Sequence, residues 1–172
     1  MTQLPRGKIH EYWRNPWDGV NQPRDYLQGH ERSLFLLMLV KEVAGRDSRI
    51  LEIGCNIGRN LQHLSEAGFR NLEGIEISEE AVRELRATFP ELAATARIHN
   101  APAEEVLPSL EDRRYDLTFT VAVLEHIHRE SEWVFQHIAR VTRDTLITIE
   151  DEKTSPNVTS LETIARCSSP WA

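Results

Sequence analysis

Arg49-Ile50-Leu51-Glu52-Ile53-Gly54-Cys55-Asn56-Ile57-Gly58 is the stretch whose reading decides the fold. Its first half is a short apolar run, the pattern of a strand buried within a sheet. Its second half holds two glycines four positions apart with an asparagine between them. Residues 58–67 then read as a helix, ended by Gly68. A strand that turns through glycines into a helix brings bare backbone close to a ligand. It also aims the free N–H groups of the helix start at that ligand.

Outward from this turn, strands and helices alternate. Residues 72–77 form a second strand. Ser78 caps the next helix, whose first turn carries Glu79 and Glu80 where the helix dipole favours acids, and the helix stops before Pro90. Residues 96–99 are a third strand, and residues 104–110 a short helix broken by Pro108. Residues 115–121 are a fourth strand, residues 131–141 a helix, and residues 145–149 a fifth strand. Such alternation implies a mostly parallel sheet, covered on both faces and joined by right-handed crossovers. Upstream, Leu34, Leu37, Met38 and Lys41 give helical period to residues 30–44, and Gly45 stops it. Three units follow: an irregular aromatic arm over residues 1–28, a domain over residues 29–152, and an irregular tail over residues 153–172.

The bulk numbers narrow the function. A chain of 172 residues with 40% hydrophobic and 27% charged side chains suits one globular domain. A net charge of -7 argues against sequence-independent nucleic-acid binding, which needs a basic face. A small-molecule substrate, or a protein partner, is the default. Two distant cysteines, Cys55 and Cys167, allow neither a disulfide framework nor a zinc spacing, so a cytoplasmic setting is expected. The first ten residues lack the apolar core of a signal peptide, and the apolar run 34–40 is too short to span a bilayer, so no membrane association is expected.

Glu76 ends the second strand, where a carboxylate can accept hydrogen bonds from both hydroxyls of a ribose. Two ligand classes use this plan. Dinucleotide sites place a pyrophosphate on the helix N-terminus through G-x-G-x-x-G, whereas here the glycines are spaced differently and Glu52 precedes them. An acid suits a ligand without phosphate that carries an amino group and a sulfonium, namely S-adenosylmethionine.

Three segments resemble the motifs of class I S-adenosylmethionine-dependent methyltransferases, of the small-molecule branch. Residues 50–58 resemble the first motif, Gly74-Ile75-Glu76-Ile77-Ser78 the second, and residues 115–127 the fourth, in the family's order over about residues 30–150. The resemblance implies a three-layer α/β/α sandwich with strand order 3-2-1-4-5. It implies that Gly54, Cys55, Asn56 and Gly58 line the methionine end of the cofactor; Glu52 is either on the cofactor side or a loop acid bonded to neighbouring backbone. Glu76 would hold the ribose, Ile77 would pack on the adenine, Ala103 and Glu104 would meet the adenine, and Val121 would sit beside the methionine portion. Asn56 replaces a glycine, and asparagine tolerates a left-handed backbone. Pro102 stands where the family often has an acid.

His126 follows the fourth strand and is the candidate catalytic base toward a substrate hydroxyl or amine; the alternative is that it only shapes its loop. No metal is expected, because Ala122 stands where some relatives that carry the Glu-His pair have a further glutamate. Tyr12, Trp13 and Trp17 are a lid, packing for the first helix, or both. The acids 150–152 are a substrate contact or a solvated cluster. The expected reaction is methylation of an oxygen or nitrogen on a small-molecule acceptor that the residues do not identify; a sugar type is only what the arm, residues 12–19, implies by its resemblance to bacterial methyltransferases, some of them beside surface-sugar genes. The alternative is a truncated cofactor-binding domain without activity.

The tail carries the last expectation. A complete fold of this class adds strands six and seven, an antiparallel pair, and residues 154–172 show no strand rhythm. Both strands are therefore expected to be missing, which leaves strand five an open apolar edge through which a homodimer could form. One choice of codons for residues 157–172, read two bases later, encodes a segment similar to the family's. The expectation is a frameshift near Pro156.

Overall fold

The computed structural model describes residues 4–150 and the strand at 163–166. In chain order it begins with α1 (Arg6–Arg14), a 3-10 turn (Pro23–Leu27) and α2 (Glu31–Val43). The first crossover follows, with β1 (Arg49–Ile53), α3 (Arg59–Glu66) and β2 (Asn71–Glu76). The second carries two helices, α4 (Glu79–Thr88) and α5 (Pro90–Thr95), before β3 (Arg97–Asn100). Then come α6 (Ala103–Val106), β4 (Tyr115–Val121), α7 (Trp133–Val141), β5 (Thr142–Ile149) and β6 (Thr163–Arg166).

β1 to β5 are parallel neighbours in the order β3-β2-β1-β4-β5, as the sequence indicates. β1 sits in the middle because both its faces are apolar. Ile50 joins Leu36, Val40, Leu61, Leu64 and Phe119 under α2 and α3. Leu51 and Ile53 join Ile75, Tyr115, Val134 and Ile138 on the opposite face, under α6 and α7. The order change between β1 and β4 opens a crevice at the carboxyl ends of the strands, where ligands bind in sheets of this type. At the other end of the sheet, Glu73 on β2 accepts hydrogen bonds from Arg114 Nη2 (2.7 Å) and Tyr115 OH (3.0 Å) and contacts His99 Nε2 (3.2 Å). Burial alone would raise the Glu73 carboxyl, but these three partners outweigh it and hold its pKa at about 2.

Four sequence expectations change. The arm is not wholly irregular. α1 forms in it and ends at Asn15, whose extended backbone (φ -155°, ψ 87°) is what a following proline enforces. α2 turns Ser33, Leu36 and Val40 inward and leaves Leu34 and Met38 exposed, so its buried face is one position away from the pattern read in sequence. Pro90 starts a helix as well as ending one, because its missing N–H is harmless in a first turn.

The fourth change concerns the sheet's edge. β6 pairs antiparallel with β5 over Thr145–Thr148, which corrects the reading of an open edge and of a tail without a strand. A homodimer through that edge loses the backbone groups it needed there. The antiparallel pair of a complete fold is still not found among the described residues; this single four-residue strand stands in its place. The frameshift expected near Pro156 falls outside the described residues.

Candidate active site

The turn between β1 and α3 is built from three residues in the left-handed region: Gly54 (φ +73°), Asn56 (φ +48°) and Gly58 (φ +75°). Glycine is required at both ends. A Cβ on Gly54 would stand 2.5 Å from Val123 Cγ2, and one on Gly58 would stand 2.6 Å from Leu85 Cδ1. Asn56 tolerates its conformation because its Oδ1 accepts the Ile57 N–H at 2.8 Å. The Gly54 and Cys55 amides both donate to Ile75 O, which ties the turn to the end of β2.

Glu76 completes this tie. Its Oε2 accepts the Asn56 N–H at 2.8 Å, and its Oε1 accepts the Ser78 N–H at 2.7 Å. Burial raises its pKa above the ordinary carboxylate value, opposed by these backbone donors. Ser78 in turn caps α4 by accepting the Ala81 N–H, and its hydroxyl reaches Arg14 O at the end of α1.

Glu52 lies deeper, 1% exposed. Its Oε1 accepts from Asn60 Nδ2 at 2.6 Å, while its Oε2 has no hydrogen-bond partner. Burial pushes its pKa up to about 8, with Asn60 and nearby Arg59 pulling the other way. A buried polar chain leads outward from it. Ser33 Oγ donates to Asn60 Oδ1, and Arg59 Nε donates to Ser33 Oγ. Arg59 Nη1 donates to the carbonyls of Tyr26 and Gln28 at the end of the arm. Sequence reasoning missed Ser33, Arg59 and Asn60; their one signal was position, since Arg59 and Asn60 open the helix after the glycine turn.

Of the eleven residues that the sequence reading assigns to cofactor or catalysis, ten line one cavity at the carboxyl ends of the strands: Glu52, Gly54, Cys55, Asn56, Glu76, Ile77, Ala103, Glu104, Val121 and His126. Gly58 does not line it. Its work is behind the turn, where it lets α3 approach Leu85 and Leu92. Cys55 is buried and its thiol is raised well above its ordinary value by burial, so it packs rather than reacts. Pro102 lines the cavity just ahead of α6.

The arm covers the cavity with Ile9, His10, Trp13, Pro16, Asn21, Pro23 and Tyr26. Ile9 and Trp13 are four apart on α1 and so share its inner side. His10 Nε2 meets Glu104 Oε1 at 2.9 Å. Trp13 lies over His126 with ring centroids 4.5 Å apart and planes tilted by 48°. Tyr12 packs edge-on against both Trp13 and Trp17. His126 thus stands at the cavity mouth, 39% exposed, between Trp13 and its neighbour Glu125.

A doubly covered parallel sheet with a left-handed glycine turn facing an acid on the next strand defines a Rossmann-like nucleoside site. Comparison with known proteins gives the family. Residues 50–145 match the model described as "Methyltransferase domain", and the chain belongs to that family. It is 22% identical over 144 residues to an O-methyltransferase of Pyrenophora dematioidea, spanning 83% of this chain and 52% of that protein. The chain thus spans about half the length of that relative. Among solved structures it is similar to magnesium protoporphyrin IX methyltransferase from Synechocystis with bound SAM. That match has a TM-score of 0.65 at 20% identity over 86% of this chain and 77% of that one. It is also similar to WbdD, with a TM-score of 0.59 at 24% identity over 75% of this chain and 32% of that one. Among the described residues, no helix is long and apolar enough to cross a membrane.

Proposed function

We propose that this chain binds S-adenosylmethionine in the cavity under the arm and transfers its methyl group to an oxygen or nitrogen of a small-molecule acceptor. The observation that carries the reading is the unpartnered, buried Oε2 of Glu52 beside the left-handed turn. An acid so placed gains by ionising beside a cationic ligand and gains nothing beside a pyrophosphate, and family membership points the same way. The bound cofactor supplies an electrophilic methyl on a positively charged sulfur. Everything else falls to the chain. Glu76 takes the ribose hydroxyls, and Ile77, Ala103 and Glu104 border the adenine. Gly54, Cys55 and Asn56 cradle the methionine end, and Glu52 receives its positive charge. Val121 closes the side toward β4.

The methyl is already activated, so alignment of the nucleophile supplies most of the rate enhancement. His126 Nε2 takes the acceptor's proton as its oxygen or nitrogen attacks. The arm acts as a lid that excludes water, and Trp13 faces the acceptor. Its ring supports a flat or sugar-type acceptor, whose C–H face stacks on an aromatic.

Isothermal titration with S-adenosylmethionine, S-adenosylhomocysteine and NAD tests the cofactor. The first two bind and NAD does not; binding of NAD alone, or of none, overturns the reading. An acceptor screen with methyl-labelled cofactor then separates an enzyme from a cofactor-binding domain without activity.

A further inference from the structure

Glu150 directly follows β5, is half-buried, and turns its carboxylate back onto the protein. Oε1 accepts the Thr120 hydroxyl at 2.6 Å. Oε2 accepts the backbone N–H of Val123 at 2.8 Å and of Leu124 at 2.9 Å. These amides belong to the turn that leaves β4. There Ala122 holds a left-handed φ of +53°, unusual for a residue with a Cβ, and its N–H donates to Ile149 O at 2.8 Å. Leu124–His126 then form a 3-10 turn, closed by the His126 N–H on Val123 O at 3.0 Å. The first amides of such a turn lack partners within it, and Glu150 supplies one from the neighbouring strand. It is a cap provided from a distance of 26 residues.

We infer that Glu150 is a positioning residue: it holds the strained turn 121–126 in place and thereby sets where Val121 and His126 stand in the cavity. The inference rests on the reading that this turn faces the cofactor's methyl end. Without Glu150, two N–H groups lose an acceptor and only the Ala122 N–H on Ile149 O still ties the left-handed residue to β5. The Val123 side chain, which lies against Gly54, would then move, and the glycine turn would lose its wall.

The chemistry of the clasp separates its parts. Glutamine can keep it, with Oε1 turned to the two amides and Nε2 donating to Thr120 Oγ. Aspartate keeps the charge but is one methylene short. Alanine has no acceptor. The experiment compares Glu150→Gln, Glu150→Asp and Glu150→Ala with the wild type by amide hydrogen exchange, the His126 ring signals and titration with S-adenosylhomocysteine. In Glu150→Ala and Glu150→Asp the Val123 and Leu124 amides exchange about tenfold faster relative to β1 amides. The His126 signals shift, and the dissociation constant rises by about tenfold. Glu150→Gln recovers most of all three. Unchanged Val123 and Leu124 protection in Glu150→Asp overturns the inference, as does a glutamine variant as impaired as the aspartate one. If Glu150→Ala does not fold, the glutamine and aspartate pair still decides. If the wild type binds no S-adenosylhomocysteine, the proposed function fails, while exchange and ring signals still test the clasp.

Discussion

Replacing Glu52 by glutamine changes how the stability of this protein depends on pH. In the folded chain the Glu52 carboxyl has a pKa of about 8, against 4.5 for a free glutamate. A raised folded value means that below 4.5 the acid is neutral in both states and its contribution is fully present. Between 4.5 and about 8 only the unfolded chain ionises it, so stability falls as pH rises, and the loss is complete past the folded value. The interval corresponds to about 5 kcal/mol at about 1.4 kcal/mol per pH unit. Glu76, the acid nearest in effect, is present in both proteins and cancels in the comparison. Urea unfolding of wild type and Glu52→Gln at steps from about pH 5 to 9 reads the difference directly. The variant's advantage grows with pH up to about 8 and then levels off. A cation held at Oε2 reverses the argument. S-adenosylmethionine lowers the Glu52 pKa, binds more tightly as pH rises toward 8, and releases a proton on binding at neutral pH. Parallel stability curves for the two proteins would falsify the assignment of Glu52 as a buried, neutral acid.

Gly54→Ala weakens S-adenosylmethionine binding by about 2–3 kcal/mol, the sum of a left-handed alanine and a Cβ pressed on Val123. Titration beside circular dichroism checks it, and Val123→Ala in the same chain restores only the steric part; full binding in Gly54→Ala would remove the turn from the site. Glu76→Ala costs about 1–3 kcal/mol of cofactor affinity and also lowers the melting temperature, because it strands the Asn56 and Ser78 amides. An unchanged dissociation constant would take Glu76 out of the pocket. His126→Ala lowers turnover more than it raises the Michaelis constant for S-adenosylmethionine; equal turnover with a known acceptor leaves His126 a loop residue only.

Much of this was legible in the chain itself. The alternation of strands and helices followed from apolar runs and from the glycine turn, and the strand order from the family resemblance. The left-handed backbone at Asn56 was readable because so few residue types tolerate it. Contacts between distant segments were not readable. Nothing in the spelling of Glu150 says that it turns back onto Val123 and Leu124, and nothing near Glu52 says that Ser33 and Arg59 extend its hydrogen bonds to the arm. Gly58 shows a finer limit. The motif marks it beside the ligand, yet its reason is the close approach of Leu85. β6 escaped because four residues are too few to show a period, and its pairing with β5 is made by backbone.

Cys55 gives the protein a reporter of its own. Its Sγ lies against Gly74, where a Cβ would stand 2.7 Å away, and the side chain is 3% exposed. A thiol reagent reaches it when the turn lifts from β2, and the rate of labelling at Cys55, read apart from that at Cys167, therefore counts those openings. Since Cys55 lies between Gly54 and Asn56, a ligand that braces the turn slows the labelling in proportion to its occupancy. Affinity can then be read from modification kinetics on the unaltered residue, without a tracer and before any acceptor is known.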